Sequence, residues 1–532
     1  MCGIAGLSGV LDRPIAEVMG YVIAHRGPDW RGSWDDSHDR IHLFHQRLSI
    51  IDLSTAAHQP MVTSDGRYTI VYNGEIYNFR DLRKVLSAKG RKFRTNSDTE
   101  VVLLAFQEWG HNCLEKLNGI FAFAMWDSHN KTLLLARDPQ GVKPLYIAQN
   151  NGNFAFCSEI KGLKRMFPAL TELDHDAIRR YFTFIYCPGE GTPLKGVTKL
   201  DPGSAVLVRD GAIIKRWAYY EPPFLSQTPV RRSSDEINDA LDEALRNAVR
   251  RQMIADVKLG AFLSGGVDSS TIVAYAREVN PEIECFTIRT PGGRDAGETD
   301  DLAYATRTAA HLGVSLNVID VTANSLSADI DKMIWHLDEP IADPASLNTF
   351  YIAEAAREQG LKVLLSGTGG DDLFSGYRRH QALMISGIFN RLPAMARRLT
   401  SAIVSALPAL GGFARRRDKL LKILNYGNSD ALPAYFVWAL DQQLDRLFIN
   451  EGATDPQSVM NSFLATSVPG LSPLQKMLAL EQRYFLTDHN LNYTDKMGMA
   501  ASTEIRVPFL DHELVEFATG IPDDQRVNWR TA

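Results

Sequence analysis

Near residue 221 the sequence changes rhythm, and that change restricts the chain to two kinds of architecture joined in series. Before it, short aromatic and β-branched runs recur at residues 41–43, 68–72, 121–126, 132–136 and 154–157, each broken by Asp, Asn or Gly. Such spacing predicts many short strands. A single strong helical pattern covers residues 98–108, with Ser97 or Asp98 placed to cap it. Beyond the change, strand patterns at 257–263, 284–288, 315–321 and 362–365 alternate with helical ones at 269–279 and 299–312. Alternation of this kind predicts a parallel sheet with helices on both faces. From about Tyr377 onward the pattern is nearly all helical. Residues 221–236, rich in Pro, Ser, Thr, Gln and Arg without apolar periodicity, are predicted to link the two parts. The expected domains are therefore 1–220 and 237–532.

Composition narrows the function. A chain of 532 residues exceeds one ordinary core, and a net charge of −6 supplies no basic footprint for nucleic acid. The five cysteines are odd in number and lack metal-ligand spacing, which predicts free thiols and a reducing, cytoplasmic setting. The start, MCGIAGLSGV, lacks the basic and apolar regions of a secretory signal. The most membrane-like segment, residues 399–414, contains Pro408 and is too short to span a bilayer. Flanked by Arg397, Arg398 and Arg415–Arg417, it reads as a helix pair packed in the second domain, or as one lying on a surface.

Two segments carry chemistry. Removal of the initiator Met would leave Cys2 as an N-terminal nucleophile whose own α-amine, titrating near neutrality, is its general base. In the second half, Leu263-Ser264-Gly265-Gly266-Val267-Asp268-Ser269-Ser270 follows a buried strand and opens a helix. Small residues there let backbone N–H groups converge on an anion, and the helix dipole adds attraction. The GK[ST] element of a Walker A loop is missing.

MCGIAG, HRGPD (25–29), QRLSIIDLS (46–54), YNGEIYN (72–78) and NSDTE (96–100) occur in that order. Together they resemble the class II glutamine amidotransferase domain, a four-layer αββα N-terminal-nucleophile hydrolase fold. The resemblance implies that Cys2 attacks the glutamine amide to form a thioester, with Asn73 and the N–H of Gly74 as oxyanion hole. It assigns Arg47 to the glutamine α-carboxylate, and Glu75 and Asp98 to its α-amine; one cation and two anions suit an amino-acid zwitterion. Arg26 and Asp29 also read as ties within a turn, and Asp98 as a helix cap.

The second loop resembles the SGGxDS signature of ATP pyrophosphatases, which cleave ATP between the α and β phosphates. Ser366-Gly367-Thr368-Gly369-Gly370-Asp371-Asp372, Leu337–Pro340 and the stretch 495–511 with SxEIRVPFLD extend the resemblance to asparagine synthetases over nearly the whole chain. It implies that Asp268 and Asp371 bind Mg2+. Ser264, Gly265, Gly266, Ser269, Ser366 and Gly367 would contact ATP, with Leu263 and Ile288 flanking the adenine. Asp372 also reads as a helix cap.

Two departures stand out. Where the family usually has a glutamate that serves acyl-adenylate formation, this chain has Thr368, which is no carboxylate base. The family also continues for several dozen residues, including a lysine that helps bind the activated intermediate, where this sequence ends at Ala532; truncation is the expectation.

The implied activity is glutamine-dependent asparagine synthesis, with ammonia passed to an ATP-adenylated carboxylate, AMP and pyrophosphate as products, and a homodimer allowed. Aspartate leads as acceptor. A nucleotide-linked uronic acid in surface polysaccharide synthesis is the alternative that Thr368 motivates, and a non-catalytic homologue is a third reading. An amidophosphoribosyltransferase or hexosamine-phosphate synthase would use the same glutaminase, but neither adenylates its acceptor.

Overall fold

The computed structural model of the chain describes residues 2–9, 13–225, 232–290, 301–390, 393–406, 417, 429–439, 444, 447–448 and 454–526. Residues 226–231 of the expected linker, 299–300 of the expected helix and 407–414 of the apolar segment lie outside them.

The amino-terminal half contains two antiparallel six-stranded sheets. The first joins β1 (Cys2–Ser8), β2 (Trp30–Asp36), β3 (Ile41–Arg47), β8 (Tyr146–Asn150), β9 (Asn153–Cys157) and β10 (Val197–Lys199), in the order β10-β8-β9-β1-β3-β2. The second joins β4 (Met61–Val62), β5 (Tyr68–Ile76), β6 (Gly119–Asp127), β7 (Thr132–Arg137), β11 (Ser204–Arg209) and β12 (Ala212–Ala218), in the order β12-β11-β7-β6-β5-β4. Strand periodicity explains the layering. Val71 of β5 packs with Ile4 and Phe156 between the sheets, whereas its neighbours Ile70 and Tyr72 pack against helices Phe79–Ala88 and Asp98–Trp109. On the other side, Ala5 and Leu7 of β1 pack with Met19 and Leu163 of helices Arg13–Val22 and Ile160–Met166. The result is helix–sheet–sheet–helix, and it explains why β5 is buried along its whole length.

Ser97 caps the Asp98–Trp109 helix, accepting from Thr99 N–H, and this leaves the Asp98 carboxylate free for another use. The Pro223–Leu225 turn is not a loose tether, because Phe224 is fully buried. Helix Ser234–Gln252 opens on a reciprocal capping box between Ser233 and Glu236.

The carboxy-terminal half is built on a parallel sheet of β13 (Leu259–Phe262), β14 (Glu284–Arg289), β15 (Ser315–Asp320), β16 (Val363–Leu365) and β17 (Glu504–Arg506), ordered β15-β14-β13-β16-β17. The helix after β13 starts at Val267, two residues before its sequence pattern suggests. Helices dominate after residue 377, but β17 interrupts them and adds itself to the sheet edge. Three residues are too short a run to carry a periodic signal, and β17 exists because β16 offers it a free edge. Helix Ala394–Ala406 buries Val404 and exposes Met395, Leu399 and Ile403. No helix among the described residues is long and apolar enough to cross a membrane.

The halves meet through buried charge. Arg26, fully buried, donates to Glu159 (3.0 Å) and to Asp495 (2.6 Å) across the junction, and Lys143 lies 3.3 Å from the other Asp495 oxygen. Lys362 pairs with Asp29 (2.7 Å), and Asp52 N–H donates to Asp256 (2.8 Å). Removing one member of a buried ion cluster leaves its partners uncompensated, typically a loss of about 3–5 kcal/mol. Asp495→Ala is therefore expected to lower the denaturant midpoint clearly, with Arg26 and Lys143 left facing each other.

Candidate active site

Antiparallel pairing of β1 with β3 sets Cys2 opposite Arg47. The facing sheet supplies β5, whose Asn73 accepts from the Cys2 backbone N–H through Oδ1 (2.9 Å). Asn73 Nδ2 is buried and has no hydrogen-bond partner, an unused donor on the side chain that holds the Cys2 N–H. Burial pushes the Cys2 thiol up, and the neighbouring Arg47 charge opposes that rise. Arg26 Nε donates to Cys2 C=O (3.1 Å), so the Cys2 backbone is held by the same arginine that joins the two halves. Arg47 is braced by the carbonyls of Ser54 (3.0 Å) and Asp52.

Three carboxylates gather nearby. Asp98 accepts from Tyr72 O–H (2.8 Å) and Ile76 N–H (3.0 Å), and burial raises its carboxyl. Glu75, buried on β5, is pushed well above the ordinary carboxylate range by burial and by the charges of Asp98 and Glu504. A surplus of buried negative charge is what an incoming ammonium group would relieve. The loops that carry the motifs are tied to one another: Asp29 accepts from Ser49 N–H (2.7 Å), and Asp52 from Asn96 N–H (2.7 Å). His45, fully buried, donates from Nε2 to Tyr72 C=O (3.1 Å), and burial holds it neutral with its pKa pushed down to about 3.

At the carboxyl end of β13 the chain turns through Ser264, Gly265 and Gly266 into helix Val267–Val279. Gly265 has φ +81°, and a Cβ there would meet Asp301 O and Ala305 N at 2.7 Å, so only glycine fits. No side chain caps this helix, which leaves its first N–H groups available to an anion. Ser264 N–H donates to Ser269 Oγ (3.1 Å) and stiffens the turn.

The loop after β16 packs directly on this turn. A Cβ on Gly367 would lie 2.8 Å from Ser269 N, and one on Gly370 2.3 Å from Asp268 Oδ2. The Asp268 carboxylate thus lies against the Gly370–Asp371 backbone, close enough to feel the Asp371 charge. Burial and then the Asp371 charge raise the Asp268 carboxyl to about 7, and burial also raises Asp371. Two partly buried carboxylates of like charge at a phosphate-type loop fit a hard divalent cation completed by phosphate oxygens and water. Thr368 is turned inward, its Oγ1 2.8 Å from Ser366 Oγ. Asp372 caps nothing. It lies inside the short helix Gly370–Phe374 and accepts from Tyr377 O–H (3.2 Å).

Leu263 and Ile288 point to opposite faces of the sheet, each into a different core cluster, so their side chains are not brought together. Glu504 and Arg506 were legible in the sequence only as letters of the SxEIRVPFLD stretch, with no role of their own, and Glu159 and Lys143 carried no signal at all. Pairing across 133 residues (Arg26–Glu159), 352 residues (Lys143–Asp495) or more leaves no local pattern.

Gly370 offers a direct test. An alanine methyl would displace the Asp268 carboxylate while the fold, which meets only a side-chain tip there, persists. Gly370→Ala is expected to lower ATP turnover about 10²-fold, the typical effect of an ångström-scale misplacement, and to leave glutamine hydrolysis intact.

A thiol strand in a four-layer sandwich, joined to a pyrophosphate-type loop on a parallel sheet, defines an ATP-dependent, glutamine-hydrolysing amidotransferase. The glutamine amidotransferase domain family matches residues 1–220 and the asparagine synthase family residues 240–532. The chain belongs to the asparagine synthase family. Asparagine synthetase 1 (glutamine-hydrolysing) of Bacillus subtilis is 32% identical over 98% of this chain and 82% of its own length. A putative asparagine synthetase of Mycobacterium tuberculosis H37Rv is 33% identical over 99% and 81%. Amidase chry2 of Gibberella zeae is 28% identical over 96% and 78%.

Proposed function

We propose that the protein makes asparagine from aspartate, with glutamine as nitrogen donor and ATP as activator. Residues 1–220 form the glutaminase and residues 237–532 the synthetase. The single observation that carries the glutaminase half is the buried Asn73, bonded to Cys2 N–H through its carbonyl with its amide donor unused.

Once Met1 is removed, the Cys2 nitrogen is an α-amine and takes the thiol proton as sulfur attacks the glutamine amide. Asn73 Nδ2 and Gly74 N–H receive the developing oxyanion. Arg47 orients the substrate carboxylate, and Glu75 and Asp98 its ammonium group. Ammonia leaves and water resolves the thioester. In the second half, backbone N–H groups at Gly265–Ser269 hold the phosphates, while Ser366 and Gly367 close the nucleotide site from the facing loop. Asp268 and Asp371 would hold magnesium, which when bound neutralises phosphate charge. The acceptor carboxylate displaces pyrophosphate from ATP, and ammonia then displaces AMP to give the amide. The adenylate hydrolyses readily, so the chemistry requires a site closed to water while it lasts.

A second acceptor reading follows from Thr368. With its hydroxyl directed to Ser366, that position supplies no base, and relatives named as amidases occur alongside the synthetases. A uronic acid on a nucleotide sugar is the alternative acceptor. The test is pyrophosphate release with glutamine and ATP, comparing aspartate with a panel of UDP-uronic acids. Aspartate-dependent release with asparagine formed supports the first reading. Release only with a uronic acid replaces it with the second.

A further inference from the structure

Both ends of the Ser366–Gly370 loop rest on the segment that begins with β17. Ser366 N–H donates to Arg506 C=O (2.8 Å), and the Cβ position of Gly369 (φ +100°) lies 2.7 Å from Leu510 Cδ2. The Arg506 side chain points the other way, toward Glu75 of the glutaminase half. It is fully buried, with Nε on Glu504 (2.5 Å) and Nη1 on the carbonyls of Gln252 (2.6 Å) and Ile254 (2.7 Å). Its remaining nitrogen, Nη2, stands 3.5 Å from Glu75 Oε1 without a hydrogen bond, and Glu75 Oε2 also lacks one. Three of the five N–H donors are therefore fixed to the synthetase half, and the two on Nη2 reach a carboxylate of the other half only loosely. Buried charges left this incompletely paired are unusual, and a ligand that completes the pairing changes the energy of both.

We propose that Arg506 is a positioning residue that couples the two sites: an ammonium group arriving at Glu75 re-sets the Glu75–Arg506 contact, and β17 carries the change to the Ser366 loop. The inference rests on Glu75 lining the glutamine pocket and on the Ser366 loop lining the nucleotide site. Coupling of this kind is reciprocal, so glutamine must alter nucleotide affinity by the same factor as nucleotide alters glutamine affinity.

The experiment uses the full chain carrying Cys2→Ala, which stops turnover, and titrates α,β-methylene-ATP with magnesium by calorimetry, with and without saturating glutamine. The expected result is a change in nucleotide affinity of about fivefold or more, mirrored in the reverse titration. Adding Arg506→Lys, which keeps the charge but cannot reach four partners, is expected to bring that factor close to one with each separate affinity nearly unchanged. A purely structural arginine would instead weaken both affinities and leave their ratio alone. Independent binding in the parent protein overturns the coupling, as does a factor that survives Arg506→Lys. Should the lysine variant not fold, independent binding in the parent still overturns the proposal, and Arg506→Gln, which keeps a side-chain donor at that place, takes the lysine variant's part in the comparison. Failure of either ligand to bind at all would instead overturn the functional reading beneath it.

Discussion

Cys2→Ala is expected to reduce glutamine hydrolysis by at least about 10⁴-fold, because loss of the proposed nucleophile removes the covalent route altogether. Substitution of sulfur by hydrogen leaves the β1–β3 register and the Asn73 contact to the Cys2 nitrogen in place, so the fold has no reason to change. Pyrophosphate release supported by free ammonia should persist at nearly the parental rate, since the second site lies on a separate sheet. Steady-state assays with glutamine and with ammonium chloride as alternative nitrogen sources separate the two outcomes. Glutamine-driven synthesis that continues unchanged in the variant would remove Cys2 from the mechanism.

The mirror-image effect is expected from Asp268→Asn. Loss of one charge from the Asp268–Asp371 pair would remove one of the two proposed magnesium ligands, and ATP turnover should fall about 10²–10³-fold, the range for loss of one electrostatic contact to a developing charge. Glutamine hydrolysis should survive. The pH dependence has a defined sign. In the ligand-free protein Asp268 titrates at about 7, above an unfolded value of about 3.9, because it is buried beside Asp371. The folded state therefore holds an extra proton between those values, and this group's contribution declines as pH rises from about 4 through 7. A divalent cation needs both carboxylates ionised. The rise in thermal midpoint caused by magnesium-ATP should accordingly be larger at pH 8 than at pH 6, and Asp268→Asn should flatten that difference. A midpoint shift equal at both pH values in the parent protein would show that these carboxylates do not hold the metal.

Residues close in sequence determined much of this. The short strands of the first half, the strand–turn–helix around Gly265 and the alternation beyond it follow from local periodicity and turn chemistry, which act over a few residues. The pairing of a thiol at position 2 with ordered motifs up to residue 100 pointed to one site before any coordinates. What the sequence could not decide were facts of contact between distant segments. Whether Ser97 or Asp98 caps its helix depended on Tyr72 and Ile76 claiming the Asp98 carboxylate. Arg26, readable as a turn tie, became a fully buried hinge of charge because Glu159 and Asp495 arrive from elsewhere. The three residues of β17 form a strand only because β16 presents an open edge, and that edge alone brings Arg506 to Glu75. Local structure is encoded in spacing; burial and charge pairing across the junction are decided by packing, which no window of sequence contains.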